Sequence, residues 1–299
     1  MFDTSPRLDC AGRIVKLDRP RVMGIVNVTP DSFSDGGAHA TADAAVAHGL
    51  RLAEEGADIL DIGGESTRPG AEDVPEEEEL RRVIPVIERL AKEVAIPVSI
   101  DTSKPTVMRA AVAAGAGMIN DVYALRREGA LDAAAALGVP VVLAHMLGEP
   151  RSMQEDPRYD DVVAEVYRFL AERIFAAEMG GIAKQHIVVD PGFGFGKTRD
   201  HNLLLLAQLE RFTELGVPVL AGLSRKRSIG ELTGRVEPRE RVHGSVAAHV
   251  IAAQHRAALV RVHDVAATVD AFKVWAAVAA QPIPRPKPDR AAVRWPEDE

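Results

Sequence analysis

This 299-residue chain has a single cysteine, few aromatic residues and no long apolar run. Cys10 is the one cysteine, which excludes an internal disulfide framework and a cysteine-based zinc site. Aromatic residues make up 4% of the sequence and hydrophobic residues 46%, so we expect a core built mainly from Val, Ile, Leu and Ala. No apolar run reaches the roughly 18 residues of a transmembrane helix, so we expect no membrane span.

The sequence is also short of positive charge. It has 36 Lys and Arg residues against 44 Asp and Glu, a formal net charge of −8 and an isoelectric point near 5.7. We therefore expect no broad nucleic-acid-binding face. The first residues include Asp3, Arg7 and Asp9 and form no apolar stretch of the secretory kind, which predicts a cytoplasmic protein.

Apolar runs recur along the chain, and each ends in a polar residue. The clearest run, Ile187–Val189, ends in Asp190 and a glycine-rich turn, which is how a buried parallel strand presents a carboxylate at the mouth of a cleft. The runs predict strands at Val22–Val28, Ile59–Ile62, Pro97–Ile100, Met118–Ile119, Pro140–Ala144, Ile187–Val189, Val217–Gly222 and Ala258–Val262. Their polar ends are Asn27, Asp61, Asp101, Asn120, His145, Asp190, Ser224 and Arg261 with His263.

Helical stretches separate these strands, and the alternation predicts an α/β fold. We expect a single (β/α)8 TIM barrel, with the polar strand ends on its catalytic rim. This domain would cover residues 1–281, with residues 1–20 as a polar lead-in that adds an irregular strand at the barrel floor. Four prolines between 282 and 288 predict that residues 282–299 form a flexible tail.

Two polar loops are too long for plain strand-to-helix turns. They follow the first and second predicted strands, at residues 29–37 and 63–70, and both are rich in turn-forming residues. Long loops inside compact folds are usually functional or mobile, so we expect both at the site.

Familiar nucleophile and nucleotide motifs are absent. Ser224 lacks the Gly-x-Ser-x-Gly pattern, since Leu223 precedes it and Lys226 lies two residues on, and we expect no nucleophile–base pair. Gly192 to Gly196 is one residue too short for a phosphate-binding P-loop, and these glycines do not match the dinucleotide fingerprint. Active-site turns with positive φ are the plainer interpretation.

The rim instead offers carboxylates and amides in one set and cations in another. Asp101, Asn120 and Asp190 suit a flat heterocycle bearing amide and amino groups. Cations suited to phosphate oxygens are supplied by Arg68, Lys226, Arg261 and His263. Asn27 adds an oxygen ligand for a largely hydrated Mg²⁺ held mainly by a substrate diphosphate. Ser224 would begin a helix whose free N–H groups favour an anion.

Local explanations compete with these functional ones. Helix capping could account for Asp61 and Asp121, and capping alone could also account for Asp101, for which only the neighbouring polar strand ends indicate more. His145, on an apolar strand, is more simply a hydrogen-bonded structural histidine than a ligand.

Seven motifs together resemble the dihydropteroate synthases, a family of folate-pathway enzymes that sulfonamides target. The resemblance runs from about Val22 to Trp275. The motifs are Met23–Gly37, Asp61–Gly70, Ser99–Thr102, Asn120–Asp121, Asp190–Lys197, Ser224–Lys226 and Arg261–Asp264.

The resemblance implies a transferase that joins (7,8-dihydropterin-6-yl)methyl diphosphate to 4-aminobenzoate and releases diphosphate. It also implies binding roles for individual residues. The pterin would contact Asp101, Asn120, Asp190 and Lys226. The diphosphate and Mg²⁺ would contact Asn27, Arg261 and His263. The aminobenzoate would contact Ser224 and Phe195. The closing loops would supply Phe33, Ser34, Ser66, Thr67, Arg68 and Pro69.

The implied chemistry needs no enzymic nucleophile. An unprotonated aniline already attacks carbon, and the difficult step is diphosphate loss, which cations assist. Asp101 would stabilise a cationic pterin methylene, and Lys226, Arg261 and His263 would complete the catalytic set. Loop closure would exclude water. Ala144 departs from the family, where many members carry methionine against the pterin, and would leave space in the pocket wall.

Two other functions stay open at this point. A pterin-binding methyltransferase would share the barrel but would not need Ser66–Arg68 or Ser224–Lys226. A catalytically silent paralogue would bind pterin or a partner protein. The family resemblance also implies a homodimer.

Overall fold

The computed structural model describes residues 6–28, 38–66, 73–148 and 153–282, along which strands and helices alternate. The strands are β1 (Arg7–Cys10), β2 (Arg13–Lys16), β3 (Arg21–Asn27), β4 (Ile59–Gly63), β5 (Val98–Asp101), β6 (Met118–Asp121), β7 (Val141–Ala144), β8 (Ile187–Asp190), β9 (Leu220–Ala221) and β10 (Leu259–Val262). The helices are α1 (Ala38–Glu54), α2 (Glu76–Glu93), α3 (Pro105–Ala113), α4 (Ala130–Leu137), α5 (Val162–Met179), α6 (Arg199–Ala207), α7 (Arg227–Thr233), α8 (Val242–Gln254) and α9 (Val265–Ala279). Short 3₁₀ segments occupy Lys184–His186, Leu209–Leu215 and Pro238–Arg241.

Strands β3 to β10 form one parallel sheet in the order β8-β7-β6-β5-β4-β3-β10-β9. A single bridge between Val189 and Val219 joins the two ends of the sheet and nearly closes it. With helices following the strands, this is the (β/α)8 TIM barrel that the alternating pattern predicts.

The first two strands confirm the prediction of strand structure within residues 1–20 at the barrel floor, but they form a regular antiparallel hairpin, so the expectation of an irregular strand is wrong. Leu8 pairs with Val15 and Cys10 with Arg13, and the side chain of Asp9 accepts a hydrogen bond from the Gly12 amide across the turn. Leu8, Cys10 and Val15 are buried against the barrel interior. The hairpin therefore closes the amino-terminal end of the barrel.

Side chains inside the barrel change character from one end to the other. Next to the hairpin lies an apolar floor layer, which consists of Met23, Ile59, Met118, Val142, Val188, Leu220 and Leu259. On β5 the buried Ser99 pairs with Met118 of this layer. Two residues further along β4, β6, β8 and β10, on the same face, lie the polar side chains of Asp61, Asn120, Asp190 and Arg261. A larger apolar core between strands and helices, with members such as Ile62, Val141 and Val260, holds the barrel together.

Most strand bounds agree with the sequence to within one or two residues, but β9 is an exception. The sequence predicts Val217–Gly222, whereas the strand is confined to Leu220–Ala221. Helix α2 starts with Glu76–Glu79, where acidic side chains interact favourably with the helix dipole. Among the described helices, none is long and apolar enough to cross a membrane. The proposed tail falls almost wholly outside the described residues, so its flexibility stays a prediction.

Candidate active site

Three strands far apart in sequence meet at Arg261. Its Nε donates to Asp61 Oδ2 at 2.6 Å, and its Nη2 donates to Asp101 Oδ2 at 2.6 Å. Asn120 Nδ2 donates to the same Asp61 oxygen at 3.0 Å. Strands β4, β5, β6 and β10 thus converge on one network above the floor layer. With Asp190 from β8, this set forms the polar layer: Asp61, Asp101, Asn120, Asp190 and Arg261.

The polar layer is buried, and burial controls its electrostatics. Burial raises the pKa of Asp101 to about 7, although Arg261 acts in the opposite direction. Burial likewise raises the pKa of Asp190, against the hydrogen bond from the Gly192 amide and the charges of nearby lysines. Burial alone would lower the pKa of Arg261, but Asp61 and Asp101 raise it above its ordinary range, so the guanidinium is charged. The layer therefore holds a fixed cation and carboxylates that are sensitive to their surroundings.

A glycine lies between the side chains of Asp190 and Arg261. A Cβ atom built on Gly222, just after β9, would lie 3.8 Å from Asp190 Oδ2 and 3.9 Å from Arg261 Cβ. Glycine at this position leaves room for a flat ligand to reach both side chains. Asp190 is oriented by the Gly192 amide, which donates to its Oδ1 at 2.7 Å.

Phe195 and Lys226 face each other across the loops after β8 and β9. Lys226 Nζ lies 4.2 Å from the centroid of the Phe195 ring, within cation–π range. The ring packs in a small cluster with Val122, Met146 and Met153. This cluster gives the rim an apolar wall beside the charged layer.

The turn after β9 is fastened to the end of β10. The His263 amide donates to Ser224 Oγ at 3.0 Å, and His263 Nδ1 lies 2.9 Å from the same oxygen. Arg225, whose φ of 57° is left-handed, makes a two-pronged ion pair with Asp264 at 3.0 and 2.6 Å. The turn between Leu223 and Lys226 comes first and α7 begins only at Arg227, so the expectation that Ser224 begins a helix is wrong.

The sequence predicts no nucleophile–base pair. This prediction is wrong as regards contact, because the side chains of Ser224 and His263 are within hydrogen-bond distance. The oxygen of Ser224 accepts the His263 backbone amide as well, so it acts as the link between two strand ends. A serine hydrolase would further require oxyanion-stabilising groups and the strained strand-to-helix turn that the sequence lacks.

Asn27 lies at the end of β3, next to Gly63 on β4. A Cβ atom at Gly63 would lie 3.8 Å from Asn27 Oδ1 and 3.7 Å from Asp101 Oδ2. The glycine therefore leaves a space beside two oxygen atoms. Among the described residues, no group of three or more His, Cys, Asp or Glu side chains could hold a metal ion by itself.

The arrangement can bind a flat heterocycle by its polar edge and an anion by its cations. Sequence comparison adds specific relatives. A family model described as "Pterin binding enzyme" matches residues 23–263. The dihydropteroate synthase of Escherichia coli is 52% identical over 268 residues, which cover 90% of this chain and 95% of that protein. The chain belongs to the dihydropteroate synthase family.

Solved structures of the dihydropteroate synthase family agree with this assignment. The Xanthomonas albilineans enzyme with 4-aminobenzoic acid is 74% identical, with a TM-score of 0.90, and the match covers 93% of this chain and 100% of that one. The same enzyme in complex with 7,8-dihydropteroate is 71% identical, with a TM-score of 0.85 and the same coverage.

The structure places together the residues to which the dihydropteroate synthase resemblance assigns pterin and diphosphate contacts. Asp101, Asn120, Asp190 and Arg261 belong to the polar layer. Lys226, His263 and Ser224 lie on the turns directly above. Asn27 lies beside Asp101, and Ser66 follows β4 at the start of the second loop. The remaining loop residues fall outside the described residues: Phe33, Ser34, Thr67, Arg68 and Pro69.

Asp61 is the main residue that the sequence analysis missed. Helix capping is wrong for Asp61, which is fully buried and accepts from Asn120 and Arg261. Capping is likewise wrong for Asp101, because Lys104 is the residue before α3 and Asp101 binds Arg261. Helix capping is wrong for Asp121 too, since it accepts the amides of Tyr123 and Leu125 in the following turn, whereas α4 begins at Ala130 after Gly129. The signal for Asp61 was its position in the series of polar strand ends.

Ala144 and His145 lie at the end of β7. Ala144 is buried and pairs with Asp190 in the strand register, so the departure from the family's methionine is next to the polar layer. His145 lies within hydrogen-bond distance of Lys197 and packs against Phe169, which confirms a hydrogen-bonded structural histidine.

Proposed function

We propose that this chain condenses (7,8-dihydropterin-6-yl)methyl diphosphate with 4-aminobenzoate, forming 7,8-dihydropteroate and diphosphate. The observation that carries the proposal is the polar layer, a buried set of carboxylates, an amide and a guanidinium at the end of an otherwise apolar barrel. Family membership supports it, and so do the ligands named for the X. albilineans enzyme, 4-aminobenzoic acid and 7,8-dihydropteroate.

In this proposal the pterin lies in the polar layer. Asp190 and Asn120 bind its amide and amino edge, and Asp101 lies below its reactive side. Lys226 covers the ring from the turn after β9. Gly222 provides the space through which the ring reaches Asp190. The two ion pairs of Arg261 hold its guanidinium in place before substrate arrives.

The reaction is a displacement at the pterin methylene carbon. The C–O bond to diphosphate breaks and its electron pair leaves with the diphosphate. The aniline nitrogen forms the new C–N bond and then loses a proton to solvent. The Asp101 carboxylate stabilises positive charge on the pterin methylene, while Arg261 and His263 stabilise negative charge on the leaving oxygens.

Asn27 is proposed as the protein ligand for Mg²⁺. Its amide oxygen is a hard donor, and the space beside Gly63 suits an ion held mainly by substrate oxygens and water. When bound, the ion supplies further positive charge to the leaving diphosphate.

The aminobenzoate is proposed to lie between Phe195 and Ser224. Phe195 offers its ring face to the benzoate, and the Ser224 turn offers polar groups to the carboxylate. The loops at residues 29–37 and 63–70 are proposed to close over the site, with Phe33, Ser34, Ser66, Thr67, Arg68 and Pro69. Closure would exclude water, which would otherwise convert the cationic pterin to an alcohol.

The deciding experiment measures diphosphate release from the pterin diphosphate in the presence of Mg²⁺, with and without 4-aminobenzoate. We expect dihydropteroate in amounts equal to the diphosphate released, and loss of activity with a chelator. Pterin binding without condensation would overturn the proposal. A corrinoid-dependent methyl-transfer assay would then separate the methyltransferase from the silent paralogue.

The homodimer and the cytoplasmic location stay predictions, the first from the family resemblance and the second from the sequence. Sedimentation equilibrium of the purified protein tests the dimer, and cell fractionation tests the location.

A further inference from the structure

Lys197 is a buried lysine that ends the motif Asp190–Lys197, and neither the family resemblance nor the proposed reaction gives it a role. It lies between the loop Gly192–Gly196 and α6, and 3% of its surface is exposed. Its Nζ has three partners. The Gly192 carbonyl lies at 2.9 Å, the Phe195 carbonyl at 3.0 Å and His145 Nδ1 at 2.9 Å. An ammonium group has three N–H donors, so these contacts use its full capacity.

The environment of Lys197 is costly for a charge. Among the described residues, no carboxylate lies within ion-pair distance of Nζ, and burial lowers the pKa of Lys197 to about 7, although the charge of Asp190 acts in the opposite direction. A buried cation without an ion pair destabilises the folded state, whereas an apolar side chain of the same length would not. The hydrogen bonds to the loop offset part of this cost, which points to the loop as the reason for the lysine.

The loop depends on contacts from outside. Gly192, Gly194 and Gly196 all have positive φ, so their own backbone preferences do not fix one conformation. Two further carbonyls of the loop are bound by side chains from the preceding segment: Gln154 donates to Gly194 and Tyr159 to Gly196.

Lys197 differs from these two contacts because it ties the loop to β7. It joins the carbonyls of Gly192 and Phe195 to His145, the residue that follows β7. Phe195 is therefore fixed through its own carbonyl, and its ring meets Lys226 at 4.2 Å.

We infer that Lys197 is a positioning residue for the second substrate, holding the loop so that the Phe195 ring forms one wall of the aminobenzoate subsite. The inference rests on the proposed function, because it assigns that subsite to Phe195. Lys197 itself touches the loop and β7 and has no contact with the reacting atoms.

The test is Lys197→Met, which keeps the side-chain length and removes the three donors. We expect KM for 4-aminobenzoate to rise about ten-fold, with KM for the pterin diphosphate unchanged within about two-fold. The matched control is Lys184→Met. Lys184 is exposed and lies just before β8 begins, so this variant should leave both KM values unchanged. Equal increases in both KM values would overturn the inference.

A double-mutant cycle with Phe195→Ala separates positioning from general damage. If Lys197 acts through Phe195, Lys197→Met adds nothing further to KM for aminobenzoate in the Phe195→Ala background. Effects that multiply would overturn the inference.

Two further observations make the result decisive. Thermal unfolding and calorimetric pterin binding show whether the Lys197→Met variant is folded. If it is not folded, the test is repeated with Lys197→Gln, which keeps one donor group. If neither variant folds, the lysine is structural only and the inference fails. If the unsubstituted protein makes no dihydropteroate, it is the proposed function that fails.

Discussion

The two ends of the barrel are built on the same strands but have different tasks. On β4, Ile59 lies in the floor layer and Asp61 in the polar layer. On β10, Leu259 and Arg261 stand in the same relation. Two residues along a strand, about 7 Å, therefore separate a packed apolar interior from a buried ionic network. Stability and chemistry are therefore assigned to different levels of one sheet.

Replacement of Asp101 in the polar layer should have the largest effect on activity. Asp101→Asn removes the carboxylate charge while keeping the shape, so we expect kcat to fall at least about 100-fold. Binding of the pterin diphosphate should be largely kept, because Arg261 retains its contact with Asp61. Steady-state kinetics and calorimetric binding measure the two quantities. Unchanged turnover would show that charge in this layer is not used in the reaction.

Replacement of Leu8 in the hairpin should lower stability and leave activity unchanged. Leu8 is fully buried against the floor layer, so we expect Leu8→Ala to lower the free energy of unfolding by about 2–4 kcal/mol. The values of kcat and KM should be unchanged at temperatures where the variant is folded. Urea denaturation gives the free energy. Ile14→Ala, on an exposed position of the same hairpin, serves as the control and should change it by less than about 0.5 kcal/mol.

Acid should lower the free energy of unfolding through His249, which lies at the end of the barrel that carries the site. This histidine on α8 is within hydrogen-bond distance of the Leu223 amide, beside the Ser224 turn, and burial lowers its pKa to about 3. The unfolded chain binds a proton near pH 6.5 and the folded chain does not, so its stabilising contribution is complete above pH 6.5 and is lost as pH falls towards 3.

The measurement compares urea denaturation at pH 7.5 and pH 5. Between them we expect the unmodified protein to lose about 2 kcal/mol more than His249→Gln does. The hairpin provides the contrast, because burial raises the pKa of Cys10 to about 12 and its thiol stays neutral at both pH values. Identical losses in the two proteins would remove His249 as the cause.

Much of the fold could be predicted because parallel strands carry a local signal. Apolar runs such as Ile187–Val189 end where the strands end, and their polar ends share one edge of the barrel by construction. The hairpin escaped prediction because its turn uses Ala11 with a φ of 54°, which is unusual for alanine, in place of a typical turn pair. Strand β9 is shorter than its apolar run, because Val219 in that run forms only the isolated bridge to Val189 that joins the two ends of the sheet.

The role of a site residue could be predicted where a family motif contains that residue. Prediction failed where the residue's hydrogen-bond partner is distant in the sequence. Asp61 resembles a helix cap when read with its neighbours alone, since its partner Arg261 lies 200 positions away. Lys197 resembles the end of a near-miss phosphate loop, and its partner His145 lies 52 positions away, just after β7. Such pairings arise only when the barrel closes.

The glycine loop after β8 limits how this enzyme can vary over generations. A side chain at Gly192 would place its Cβ 1.8 Å from the His145 carbonyl oxygen, and one at Gly196 would lie 2.7 Å from Leu147. Neither position can accept another amino acid without moving the segment His145–Leu147 that follows β7. Inherited changes that alter how this loop meets an inhibitor or a substrate analogue therefore have to act through Phe195, or through residues on neighbouring loops that reach the same ring.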